Sequence, residues 1–148
     1  MTIDVDIQGD KELIAKLEKI GAQSGPAMID IANATAIELR GNIVKKIQRG
    51  PKTGRIYQRG NVVHQASKKG EAPATDTGRL VNSIYFDRAR GFLGAAVATV
   101  GSKIAYALHL EYGTRNMPGG RPVWRKEARK ANKKFIARIR KYLDKVTK

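Results

Sequence analysis

Cysteine is absent from this 148-residue chain, which removes disulfides, thiolate metal sites and thiol nucleophiles together. That absence also suits a reducing compartment. Histidine is nearly missing, with only His64 and His109, and aromatic residues make up just 6% of the chain. Acids are scarce, 13 against 29 Lys and Arg. No apolar run approaches the roughly 18 residues needed to span a bilayer. The opening MTIDVDIQGD is acidic and alternating, unlike a secretory signal. A soluble cytoplasmic product is therefore expected. What is present is an ordinary apolar fraction of 41%, enough for a folded core. The length suits one domain over residues 1–148.

The formal charge of +16 is unevenly placed. Residues 121–148 hold 12 basic residues against 2 acids, a net +10; residues 49–91 carry +6, and residues 1–48 carry −1. Such a field attracts polyanions or acidic protein surfaces. A solvated helix face accounts for the same composition without any partner.

Periodicity predicts the elements. Ile3, Val5 and Ile7 alternate with Asp4 and Asp6, as in a half-buried strand or extended arm. Asp10 can cap a first helix striped by Leu13, Ile14, Leu17 and Ile20. Gly21 to Gly25 should break it, and Pro26 should open a longer helix capped by Ser24 or Gly25. There Met28, Ile31, Ala32, Thr35, Leu39, Ile43 and Ile47 recur at steps of three and four. Lys45, Lys46 and Arg49 close that helix, where cations suit the dipole. Residues 49–75 are rich in glycine, polar and basic residues, with two β-like pieces, Ile56–Tyr57 and Val62–Val63, turned by Arg59, Gly60 and Asn61. So long an excursion is expected to order on a neighbour. Strands are predicted at Leu80–Arg88 and Ala95–Ser102, antiparallel across a loop at Ala89–Gly94. A helix from Ile104 to Tyr112 should stop at Gly113. After the NMPGG loop, Pro122 opens a last helix in which Trp124, Ala128, Ala131, Phe135, Ile139, Tyr142 and Val146 form one stripe. The predicted class is α+β: a small antiparallel sheet packed by helices, a long central basic loop or hairpin at 49–75, and a long C-terminal helix at 121–148.

Two compact motifs stand out, EAPATDTGRLVNSI (Glu71 to Ile84) and YALHLEYGT (Tyr106 to Thr114), followed by RPVW. In the first, Pro73 enforces an extended approach, Asp76 or Thr77 can cap a short turn, and Gly78 allows the bend. In the second, Tyr106 with Leu110 and Leu108 with Tyr112 put bulk on opposite edges of a short helix, and Gly113 reverses the chain. Chemistry is poorly served by these residues. His109 and Glu111 are two apart, on different helix faces. Ser83 has no base beside it, and PKTG (Pro51 to Gly54) lacks the leading glycines of a phosphate loop. No catalytic, cofactor-binding or metal-binding residue is expected.

The motifs resemble those of the head–tail joining, or tail-completion, proteins of long-tailed double-stranded DNA phages, a family of minor tail components. The match rests on Ala72, Pro73, Thr77, Gly78, Leu80, Ser83 and Ile84, then Tyr106, Ala107, Glu111, Tyr112, Gly113 and Thr114, then Arg121 and Pro122. It covers roughly the second half of the chain; the first half agrees in layout. The insert RIYQRGNVVHQAS is longer than the shortest members carry. The resemblance implies a virion protein without enzymatic activity. Such a protein assembles in the host cytoplasm as a homomeric ring between tail tube and head, touching adjacent tail and connector proteins. Packaged DNA would pass through the lumen with weak, non-specific contact, and no membrane is involved.

Within that frame, Arg79, Glu111, Tyr112, Arg121 and Trp124 are the expected assembly contacts, with Arg79 and Glu111 paired within the fold or across subunits. Trp124, with Phe135 and Tyr142, is also expected to serve the core. Lys52, Arg55, Arg59, Lys68 and Lys69 are the expected DNA-facing residues, while the C-terminal helix would complement an acidic neighbour. The competing class is a sequence-independent basic nucleic-acid-binding protein, which would show useful affinity and a steep salt slope.

Overall fold

The structure, a computed structural model, describes residues 10–92 and 95–146. The strand expected at residues 3–7 lies outside them, as do the side chains of Leu13, Ile14, Leu17 and Ile20. The class is α+β, as the periodicities predict.

Helix α1 runs unbroken over Asp10–Arg49, 40 residues with Pro26 inside it. The expected break at Gly21–Gly25 does not occur. Glycine and proline weaken a helix by about 1 and 3 kcal/mol respectively without excluding its backbone angles. Pro26 has no N–H to donate to the preceding turn, yet the chain continues through it. The apolar stripe is as predicted: Ala32, Thr35, Ile43 and Ile47 are buried, the last two almost completely.

Strands β1 (Ile56–Arg59) and β2 (Val62–Gln65) pair antiparallel across Gly60–Asn61, so the central excursion does contain the expected hairpin. Among the described residues no layer packs behind either strand; seven of the eight positions are exposed. The stretch read as a strand from Leu80 begins instead with a helical turn, α2 (Arg79–Asn82), that buries Leu80 and Val81. Strand β3 (Ile84–Phe92) follows and pairs antiparallel with β4 (Ala95–Ser102). The strands therefore extend into what was expected to be an Ala89–Gly94 loop. Register slips between Asp87↔Thr99 and Arg90↔Val97, a bulge that leaves a ladder N–H unpaired. Asn33 on α1 accepts that N–H, from Ala89, at 2.7 Å. Arg40 of the same helix donates to the Ile84 carbonyl at 3.0 Å. Both contacts fix α1 across the sheet.

Helix α3 (Tyr106–Tyr112) ends at Gly113, where φ is 90°. A Cβ there would lie 2.5 Å from the Met117 carbonyl oxygen, and one on Gly120 (φ 56°) 2.7 Å from that of Glu111. Only glycine fits this tight return. Helix α4 (Trp124–Val146) then lies antiparallel along α1, with Arg138 reaching Thr35 and Lys134 reaching Glu38. The core gathers where these elements converge: Ile43, Ile47, Leu80, Val81, Ile84, Ala107 and Val123, with Trp124 partly buried against it.

Candidate functional site

The second motif and the RPVW segment meet around one buried carboxylate. Glu111 is 5% exposed. Its Oε2 accepts the backbone N–H groups of Val123 (2.8 Å) and Trp124 (3.0 Å), and its Oε1 accepts that of Arg125 (3.0 Å). These are donors that a helix start leaves without intrahelical partners, so Glu111 caps α4 from another element. The Arg125 guanidinium adds a contact to Glu111 Oε1 at 3.3 Å and sits 5.2 Å over the Tyr112 ring. Arg121 ties the remaining ends together: its N–H donates to the Leu110 carbonyl (2.6 Å), and its Nε donates to the Ser67 carbonyl (2.9 Å).

This geometry corrects the expected Arg79–Glu111 pair within the chain. Glu111 is committed to α4 and Arg125, whereas Arg79 is exposed at the start of α2 and makes no ion pair among the described residues. Of the five expected assembly contacts, Glu111, Arg121 and Trp124 hold the fold together. Tyr112, 63% exposed, and Arg79 face outward. Leu108 and Tyr106 of α3 are exposed too, whereas Leu110 packs against the core.

Asp76 does not cap α2, and neither does Thr77. The cap position is Gly78, with φ 74° and no side-chain hydrogen bond. Asp76 instead anchors the hairpin, pairing with Arg59 and with His64 Nε2 at 3.2 Å. His64 also stacks on Tyr57, with ring centroids 5.6 Å apart. A second carboxylate closes the hairpin base. Glu71 Oε1 accepts the Thr53 hydroxyl (2.6 Å), while Oε2 accepts the N–H groups of Lys68 (2.8 Å) and Thr53 (3.1 Å). The Thr53 hydroxyl, then the Lys68 amide, hold this carboxyl down at about 2, against an ordinary value of 4.5. The folded value is depressed, so the stabilisation is complete above pH 4.5 and fades as pH falls toward 2. Hydrogen exchange at the Thr53 and Lys68 amides, corrected for intrinsic rates, should therefore retain protection at pH 3.5 and lose it near 2. In Glu71→Gln that protection should be lower and insensitive to acid. Loss in the wild type already at pH 4.5 would contradict this.

The expected DNA-facing residues separate into two groups. Arg55, Lys68 and Lys69 are exposed. Arg59 is engaged by Asp76, and the Lys52 amine is buried without a hydrogen-bond partner. Burial lowers the Lys52 pKa, partly offset by Glu71. Among the described residues no three His, Asp or Glu side chains are grouped to hold a metal ion, and no helix is long and apolar enough to cross a membrane. No family model matches the chain, and neither does any curated protein or solved structure.

Two features escaped the sequence reading. One is the capping role of Glu111, whose only linear signal is a lone acid just before a YGT turn and a proline-led helix. The other is a cationic seam where Lys45, Lys46 and Arg49 of α1 face Lys126 and Lys130 of α4. Each basic run is visible in the sequence; their juxtaposition is a matter of tertiary packing.

Proposed function

We propose that the chain is a structural protein of the phage neck or tail top, which completes the tail and joins it to the head by assembling as a ring around the DNA channel. It works as a scaffold, without turnover. The observation that carries this reading is the β1–β2 hairpin. Ile56, Val62 and Val63 are 63%, 56% and 68% exposed, on a two-stranded ribbon with no sheet or helix behind it among the described residues. An isolated ribbon is marginal in water, and its unpaired edges invite pairing with another chain. The carboxylate clamps at Asp76 and Glu71 nonetheless hold it in a defined position. An apolar arm held rigidly away from its own core suits insertion against the next subunit. The first motif supports the reading as well, because its Glu71 and Asp76 are the clamps that fix this arm.

Val63→Asp, alone and with Ile56→Asp, tests the assembly role. Both side chains are exposed, so the melting temperature should move little, within about 0.5 kcal/mol of stability per site. Incorporation into particles should fail, leaving filled heads and unattached tails in electron micrographs. Joined, infectious particles carrying the double variant, or lacking the protein altogether, would defeat the proposal.

A further inference from the structure

The antiparallel seam between α1 and α4 has two halves that differ in how far their cations are paired. In the upper half, Glu38 receives Lys134 and Arg138, the latter at 2.8 Å. The Lys134 hydrogen bond is the main cause holding the Glu38 carboxyl below its usual range; burial opposes it, and Arg138 adds to it. Cations there are compensated. The lower half consists of two adjoining clefts of about 420 and 220 Å³, which share Lys46, Gly50, Pro51, Glu127 and Lys130. Lys45 and Arg49 line the larger, and Lys126 the smaller. Against these five cations stand Glu127, 6% exposed and bound by Lys130 at 2.8 Å, and Glu71, already committed to the hairpin base. Behind Gly50 the unpartnered Lys52 amine adds a sixth positive group, 3.5 Å from where a Gly50 Cβ would sit.

Helix electrostatics explain only part of this. Lys45, Lys46 and Arg49 close α1, where the dipole favours cations by about 0.3–1 kcal/mol each. Lys126 and Lys130 lie in the opening turns of α4, where the same effect works against them. The fold thus brings like charges together across a concave surface whose five cations outnumber its two carboxylates, Glu127 and Glu71.

We propose that this lower seam is a contact site for the phosphodiester backbone of nucleic acid, engaged by Lys45, Lys46, Arg49, Lys126 and Lys130. The inference goes beyond the assembly reading and does not rest on it, since a lone subunit would bind in the same way. An acidic protein surface fits less well. Protein interfaces deplete Lys and rely on apolar and aromatic anchors at their centres. The larger cleft offers no such anchor: it is lined by Asn42, Gly50, Pro51, cations and the paired Glu127. Four of the five cations are Lys, whose compact ammonium serves phosphate as a point charge without fixed geometry. The assignment moves the principal DNA contact away from the central loop to a pair of packed helices.

The test is fluorescence anisotropy of a 20-bp duplex of arbitrary sequence across a salt series. The triple variant Lys45→Gln, Lys46→Gln, Arg49→Gln should bind at least about tenfold more weakly at low salt, with the log–log salt slope reduced by about 2–3. It spares Lys130, which Glu127 requires. Arg55→Gln, Lys68→Gln, Lys69→Gln in the loop should change the slope by less than about 1. In parallel, lysine acetylation of the wild-type protein read by mass spectrometry should show duplex protecting Lys45, Lys46, Lys126 and Lys130 but not Lys68, Lys69 or Lys103. This second readout does not depend on any variant folding. Unchanged binding by the seam triple, an equal loss in the loop triple, or no seam protection would overturn the assignment. So would seam lysines protected by polyglutamate but not by duplex, which would point to an acidic protein instead.

Discussion

Glu111→Gln is expected to destabilise the fold by about 2–4 kcal/mol, because charge-assisted hydrogen bonds are weakened and a buried donor is left unmet. At this chain length that corresponds to roughly 10 °C in melting temperature. The carboxylate serves three backbone donors with two oxygens. A Gln side chain retains one acceptor and turns an N–H₂ group toward amides that also donate, so at least one buried donor is stranded. Arg125→Ala gives the control. Its side chain is 48% exposed, so losing the ion pair should cost below about 1 kcal/mol, with a comparable contribution from the Tyr112 ring contact. If the two variants were equally damaging, Glu111 would act mainly as an ion-pair partner and the capping account would fail. Differential scanning calorimetry decides between them.

The second large effect lies at Ile47, which is 0% exposed. Ile47→Ala should cost about 2–5 kcal/mol and Ile47→Val about 0.5–1.5 kcal/mol, because a cavity term adds to the lost transfer energy. With Ile43 one turn earlier, it sits where α1, α2, the start of β3, α3 and the residues before α4 meet. No surface side chain can relax into such a space without exposing another element. The Ile47 carbonyl also accepts the Thr75 hydroxyl at 3.3 Å, so movement here reaches the segment that carries Asp76. Urea titration should show a lower midpoint with an unchanged slope. A cost near zero would mean that the site collapses freely and is not the centre of the core.

Much of this architecture was legible from periodicity. Short β-like runs located β1, β2 and β4, and steps of three and four located the α1 stripe and α4. What failed was punctuation. Gly21, Gly25 and Pro26 suggested a boundary because each disfavours a helix, but a penalty is not a veto and α1 runs through them. Leu80 and Val81 suited either period; packing against Ile43 and Ile47 decided for a helical turn. The candidate site was legible only in part. Tyr112 and Arg79 face outward as an assembly contact requires. Glu111, Arg121 and Trp124 also make contacts within the subunit, to partners from chain segments no local pattern connects. The cationic seam was hidden for the same reason, since Lys46 and Lys130 become neighbours only when α4 packs along α1.

The placement of the Glu111 cap has a consequence for the order in which the protein forms. A ribosome delivers Ile43, Ile47, Leu80 and Ile84 long before Val123, yet the cluster they build includes Val123. Until residues through Arg125 are available, Glu111 has no backbone donors to satisfy it and would resist burial. Nascent chains halted short of that point should therefore stay open to protease, and longer ones should become resistant in a single step. Quality is thus checked late in synthesis: a product that ends early cannot seal its core.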